Sequence, residues 1–249
     1  MSINEAKNQW VWVGVAAVLA LGLIIAAYIA SNTIVQLKSA ANTITVTGSA
    51  KQQIKSDLAV WTGYFSTQSN QLETAYGQLQ SSREKVAAYL IAQGIEEKDI
   101  IFSSINVDRR NVMLPNGVYS NELEGYTLSQ QVELRSSDVD KITDLSREAT
   151  DLINQGVEIQ SYSPQYFYTK LADLKIEMLA LATQDAAKRA EQIAENAGSR
   201  VGSLRYAQMG VFQITPLYSN DISDYGINDI SSLEKEITAV INCQFEVIK

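Results

Sequence analysis

From Trp10 to Ala30 the chain carries 21 consecutive residues with no charged or strongly polar side chain. As a helix rising about 1.5 Å per residue, this stretch spans about 31 Å, matching a hydrocarbon core of about 30 Å. Trp10 and Trp12 at one end and Tyr28 at the other sit where interfacial aromatic belts form. A cleaved signal sequence has a shorter apolar region closed by small residues, and Tyr28 or Ile29 spoils each nearby register. A buried core helix is the bland reading, but one apolar on every side at the extreme N-terminus makes a poor core element. The segment therefore reads as an uncleaved transmembrane helix that anchors the rest of the chain. Residues 1–9 form a short cytoplasmic N-terminus, 10–30 the span, 31–41 a linker and 42–249 an extracytoplasmic domain. Lys7 before the span and Lys38 and Lys51 after it leave the positive-inside rule nearly silent, so the orientation rests on the short N-terminus staying inside. Gly22, Ala26 and Ala30 make a small-xxx-small row that would let helices approach closely, although such residues are common in any span.

The remaining part, roughly 210 residues, is long enough to bury a sizeable core. Pro occurs only at 115, 164 and 216, and 46% of the chain is hydrophobic, which argues against disorder. The net charge of −8 lacks long like-charge runs and disfavours a nucleic-acid surface. The chain has no histidine, so it lacks the commonest general base and the commonest neutral metal ligand. Its single cysteine, Cys243, rules out an intrachain disulfide and a thiolate zinc site.

Beyond the linker, hydrophobic periodicity organises the chain. Residues 42–50 and 57–68 alternate as strands and are expected to pair as a hairpin. Asn70 with Glu73 resembles a capping box opening a helix that carries Leu72, Tyr76, Leu79, Val86, Tyr89 and Leu90 and stops at Gly94. A strand over 100–108, a turn at Pro115, Asn116 and Gly117, and a returning strand from Tyr126 to Leu134 follow. Ser137 or Asp138 then caps a second helix that stops at Gly156. The two helix exits, residues 90–96 and 152–158, agree at five of seven positions, so the strand–helix–strand pattern is an internal repeat. A third, Ala-rich helix from about Lys170 ends at Gly198 and leads into a strand over 201–214. Residues 215–232 form a long polar loop, either a flexible excursion or a contact arm. In the last strand Ile237, Ala239, Ile241, Cys243, Phe245 and Val247 alternate with mostly polar residues, which turns the thiol toward the core. The pattern predicts an α+β domain of antiparallel sheets with three helices packed on them.

Several stretches carry a family resemblance. They are Ile44 to Gly48 followed by Asp57 to Phe65, the exit Gln93, Gly94, Ile95, and the segment Gly125 to Leu128. The Ala-rich helix from Ala180 to Gly198, the following Arg200, Val201 and Gly202, and the alternating final strand complete them. Together they resemble the SIMPL-domain family, also known as DUF541 or the periplasmic immunogenic protein family, over about residues 42–249. The resemblance implies an α+β fold, a bacterial envelope location, ring-like homo-oligomers and a loose link to oxidative or envelope stress tolerance. It supplies no catalytic residues. A permanent anchor departs from the typical secreted member and places this chain at the inner membrane, with its domain in the periplasm.

Candidate chemistry is thin. Asp221, Asp224 and Asp229 share the long loop with Asn220 and Asn228, but their spacing does not match a calcium loop. Glu122 and Glu124 read as exposed glutamates at a strand entrance, and Asp108, Arg109 and Arg110 as a charged turn. The turn from Gly198 to Gly202 follows a helix, whereas phosphate cradles precede one. No catalytic, cofactor or metal set emerges, and the expectation is a non-enzymatic, self-assembling envelope scaffold. The alternative is an adaptor for another envelope protein, with Tyr218, Asp221, Asp224 and Tyr225 in the contact loop.

Overall fold

The computed structural model describes residues 19–29, 31 and 42–248. Residues 19–29 are helical (α1) and every one of them is exposed. The rest is α+β. The strands are β1 (Thr43–Lys55), β2 (Leu58–Ser69), β3 (Ile100–Phe102), β4 (Asn106–Met113), β5 (Tyr119–Ser136) and β6 (Glu158–Ser161). They continue as β7 (Gln165–Phe167), β8 (Arg200–Met209), β9 (Gln213–Pro216), β10 (Ile227–Asn228) and β11 (Glu234–Ile248). One sheet is ordered β1-β11-β9-β10, with β8 also on β11, and another β3-β5-β2-β6, with β4 on β5 and β7 on β2. The helices are α2 (Leu72–Ala92), α3 (Val139–Glu148) and α4 (Leu171–Asn196), with a 3-10 segment Ala149–Gln155 after α3. The chain divides into two compact units: 1–50, 179–210 and 239–249 make the first, and 51–178 and 211–238 the second.

In the second unit, β2 lies between β5 on one side and β6 and β7 on the other, all antiparallel to it. Ala59, Trp61 and Phe65 of β2 share one face by the two-residue period of a strand and join Leu128, Val132 and Leu134 of β5 in the core. Over them lies the stripe Ala75, Leu79, Val86 and Leu90 of α2, together with Val139, Ile142 and Leu145 of α3. The indole N–H of Trp61 donates to Ser161 Oγ at 2.9 Å, and that hydroxyl donates to the Ser146 carbonyl at 2.6 Å, so the buried polar handle of the tryptophan is satisfied. Phe65 and Phe102 meet edge to face at 6.2 Å.

In the first unit, β8 runs antiparallel along β11, with register shifts between Gln244 and Val247. The small stripe Ala182, Ala186, Ala190 and Ala194 of α4 is buried, as are Val46, Ile241, Cys243 and Phe245. Gly48 is the point of closest approach: a Cβ there would collide with the Ala182 carbonyl oxygen and lie 2.5 Å from the Ala186 nitrogen. The backbone N–H of Ser49 donates to Asp185 on the helix at 2.8 Å.

The three helix exits share one geometry, as the repeat anticipates. Gly94, Gly156 and Gly198 have φ of 77°, 81° and 69°. In each, the following residue bonds back across the last turn: Ile95 to the Leu90 carbonyl at 3.0 Å, Val157 to Leu152 at 3.1 Å and Ser199 to Ala194 at 2.8 Å. These bonds satisfy carbonyls that a helix end otherwise leaves open, and they need a left-handed residue at the stop.

Several expectations are corrected. β1 and β2 do not form a hairpin: they belong to different sheets, because the polar stretch after Ala50 continues β1 to Lys55 and β1 neighbours β11. α2 has Gln71 as its N-cap with no side-chain cap, so Asn70 and Glu73 make no capping box. Leu72 and Tyr76 of that helix are exposed. The strand expected over 100–108 breaks at 103–105, where Ser103 turns to bond Gln131. The strand expected over 201–214 is interrupted between β8 and β9. One sheet is mixed rather than purely antiparallel, since β10 pairs parallel with β9, whereas β2 and β5 and their neighbours pair antiparallel as expected.

Candidate functional site

No helix among the described residues is long and apolar enough to cross a membrane, and those residues include only 19–29 of the 10–30 segment. Trp10, Trp12 and Ala30 lie outside the described residues. Gly22, Ala26 and Tyr28 lie on α1, exposed, with open space around Gly22. Leu23, Ile24 and Tyr28 are 71%, 68% and 68% exposed.

The contact-loop candidate is folded rather than loose. Its first residues, Thr215 and Pro216, belong to β9, and β10 returns beside β9 with Ile227 opposite Gln213. The Gln213 side chain clasps Ser223 twice: its amide N–H donates to the Ser223 carbonyl at 2.7 Å and its oxygen accepts from the Ser223 N–H at 3.4 Å. Asp229 N–H donates to the Ile214 carbonyl at 2.9 Å. The Asp229 carboxylate turns inward and accepts from Ser231 N–H at 2.8 Å, Ser231 Oγ at 2.6 Å and Ser232 N–H at 3.2 Å. Burial pushes this carboxyl up, but those hydrogen bonds together hold it below its ordinary value.

Lys235 closes the loop base. Its ammonium donates to the Tyr166 carbonyl at 2.6 Å and the Asp229 carbonyl at 2.5 Å, while the residue is only 2% exposed. Desolvation lowers the pKa of this amine, and the nearby Asp229 charge opposes that shift. Tyr166 N–H donates to the Ile230 carbonyl and Ser56 N–H to the Leu233 carbonyl, at 2.8 and 2.9 Å.

Above this braced base the loop presents Tyr218, Ile222 and Tyr225, exposed by 90%, 84% and 97%. Tyr218 has φ of 64°, the only positive value at a non-glycine among the described residues. Asp221 and Asp224 are exposed beside them, and the Asp221 carboxylate accepts from Ser219 Oγ at 2.8 Å. The structure thus brings Tyr218, Asp221, Asp224 and Tyr225 onto one acidic, apolar-tipped loop, and adds Ile222. The sequence signal for Ile222 is an aliphatic residue flanked by aspartates in a polar stretch. Asp229 is spent on the turn, so the three loop aspartates do not converge, and no group of three or more metal-ligating side chains exists among the described residues.

A second exposed element was not anticipated. β2 ends opposite Tyr126, so the part of β5 before Gly125 pairs only with β4 and forms a two-stranded ribbon. Among the described residues no third strand reaches this ribbon, and it carries exposed Met113, Leu114, Val118, Tyr119 and Leu123. Glu122 and Glu124 are exposed on the same ribbon, and Arg110 donates to Gln68 at 2.5 Å. In the first unit, β8 adds exposed Leu204, Tyr206 and Met209.

Comparison with protein families matches residues 44–245 to SIMPL, described as a protein of unknown function (DUF541). The chain belongs to the SIMPL family. The match spans both compact units of this SIMPL chain, from β1 to β11. Among curated proteins none matches it.

Proposed function

We propose that this SIMPL-family chain is a membrane-anchored, self-assembling scaffold of the bacterial envelope. A single span in the inner membrane holds the domain on the periplasmic side, where it closes into a ring-like homo-oligomer that contributes to oxidative or envelope stress tolerance. The role is structural rather than catalytic. The observation that carries this reading is the placement of large apolar side chains on elements free of the cores: the β4–β5 ribbon, β8 and the loop tip. A two-stranded ribbon gains little from its own pairing in water, so large apolar side chains left exposed on it favour a partner surface. The exposed apolar run 19–29 supports the anchor. Tethering many copies to one membrane raises their effective concentration, so modest contacts suffice to close a ring.

The test is the mass of the full chain in mild detergent beside a chain starting at Asn42. The expected result is one discrete assembly for both. A full chain that stays monomeric over a broad concentration range overturns the proposal, and a monomer only after truncation assigns assembly to the span.

An adaptor role is the second reading, favoured by Tyr218, Ile222 and Tyr225 on their braced loop. Shortening residues 217–226 then removes a co-purifying envelope protein while the fold persists. Retention of every such protein sinks the adaptor reading.

A further inference from the structure

The loop between β9 and β10 has a definite chemical demand. From Gln213 to Ser232 the chain contains aspartates and no lysine or arginine. Its tip combines exposed Asp221 and Asp224 with the nearly bare side chains of Tyr218, Ile222 and Tyr225. A surface that receives it must offer cations beside an apolar trough.

The first unit contains such a surface. An open groove of about 600 Å³ runs between β1 and α4, lined by Thr45, Val46 and Thr47 on the strand and Lys188, Arg189 and Ile193 on the helix. Among the described residues no acidic side chain lines it. Ile193 is 51% exposed, and Val46 lies buried beneath. Lys188 is exposed and enters no salt bridge among the described residues, whereas Arg189 uses Nε to hold Asp185 at 2.8 Å. On its strand side the groove follows β1, which stands at the end of its sheet order.

Resting on the self-assembly reading above, we propose that the 217–226 loop of one copy seats in the β1–α4 groove of a second copy. The acidic loop meets Lys188 and Arg189, and Ile222 and Tyr225 enter the trough over Val46 and Ile193. Complementary potentials of this kind select the partner and fix its orientation. The contact joins two different patches, so it is head-to-tail: each copy keeps one free loop and one free groove, and the chain of contacts closes as a ring or extends.

Two full-length variants test this, both altered only at exposed positions. I222S/Y225S blunts the loop and leaves the groove intact. K188E/I193E repels the loop and leaves the copy's own loop intact. In mild detergent, wild type is expected to form a discrete assembly and each variant alone to be monomeric with unchanged circular dichroism. An equimolar mixture of the two is expected to stop at a dimer, because only one loop–groove pair remains functional. Variants that assemble like wild type overturn this proposal while the scaffold reading stands. Variants that are monomeric but form no mixed dimer overturn the pairing of these two surfaces. A monomeric wild type removes the scaffold reading itself, and this proposal with it.

Discussion

At Gly48 a missing side chain sets how closely α4 approaches β1. The Ala182 carbonyl and the Ala186 backbone occupy the space a Cβ would take, and a backbone cannot swing aside as a side-chain tip does. Gly48→Ala is therefore expected to destabilise the fold by about 1–3 kcal/mol, read from the urea unfolding midpoint. The strand over residues 42–50 that contains Gly48 was readable in advance, as was the burial of Cys243. Burial of Lys235 was not, because the carbonyls that satisfy it come from Tyr166 and Asp229, and no local pattern announces them. Asp229 gives a pH-dependent test. Its folded carboxyl lies below the ordinary value of 3.8, so its contribution is fully present above that value and is lost as pH falls through the lower folded one. Asp229→Ala should cost about 1 kcal/mol at pH 7 and progressively less under acid, measured by denaturant unfolding at a series of pH values. A cost independent of pH would show that the carboxylate hydrogen bonds are not its source.

The helix exits show which elements the sequence makes legible. A Gln-Gly pair followed by an aliphatic residue and Glu occurs twice, and both sites adopt the same left-handed stop with the same back-bond. Local chemistry decides that geometry, so local sequence reveals it. An alanine at Gly156 would be held at φ near 81°, a conformation that costs an L-residue about 1–2 kcal/mol. That loss should appear as a lowered thermal midpoint for Gly156→Ala, with the same sign for Gly94→Ala. Strand pairing is a different matter. β1 and β2 carry good strand patterns and lie close in sequence, yet each finds other partners, and the Thr47 hydroxyl reaches Asn242 across 195 residues. Nothing in a short window encodes such a choice. The same limit hid the ribbon: β4 and β5 were readable as strands, but not the fact that β2 stops before their tip.

For the molecule as a whole, the order of elements was readable and the division into two units was not, because each unit is gathered from separated stretches of chain. β1, α4 and β11 each contribute residues to both units without a break. In a chain starting at Asn42, Trp61 is the sole tryptophan and reports on the second unit, while Cys243 reports on the first. Loss of Trp61 fluorescence and exposure of the Cys243 thiol should follow coincident denaturant curves, since shared elements unfold together. Separated curves would show that the units melt independently. The position of β11 in its sheet also imposes an order in time. This strand joins β1, β8 and β9 and is made after all of them. A ribosome that has finished β8 has produced a strand whose partner does not yet exist, and β1 has waited since the start of the domain. The sheet is therefore complete only once β11 has emerged, so a nascent chain that stalls before residue 239 leaves open edges for chaperones and proteases to find.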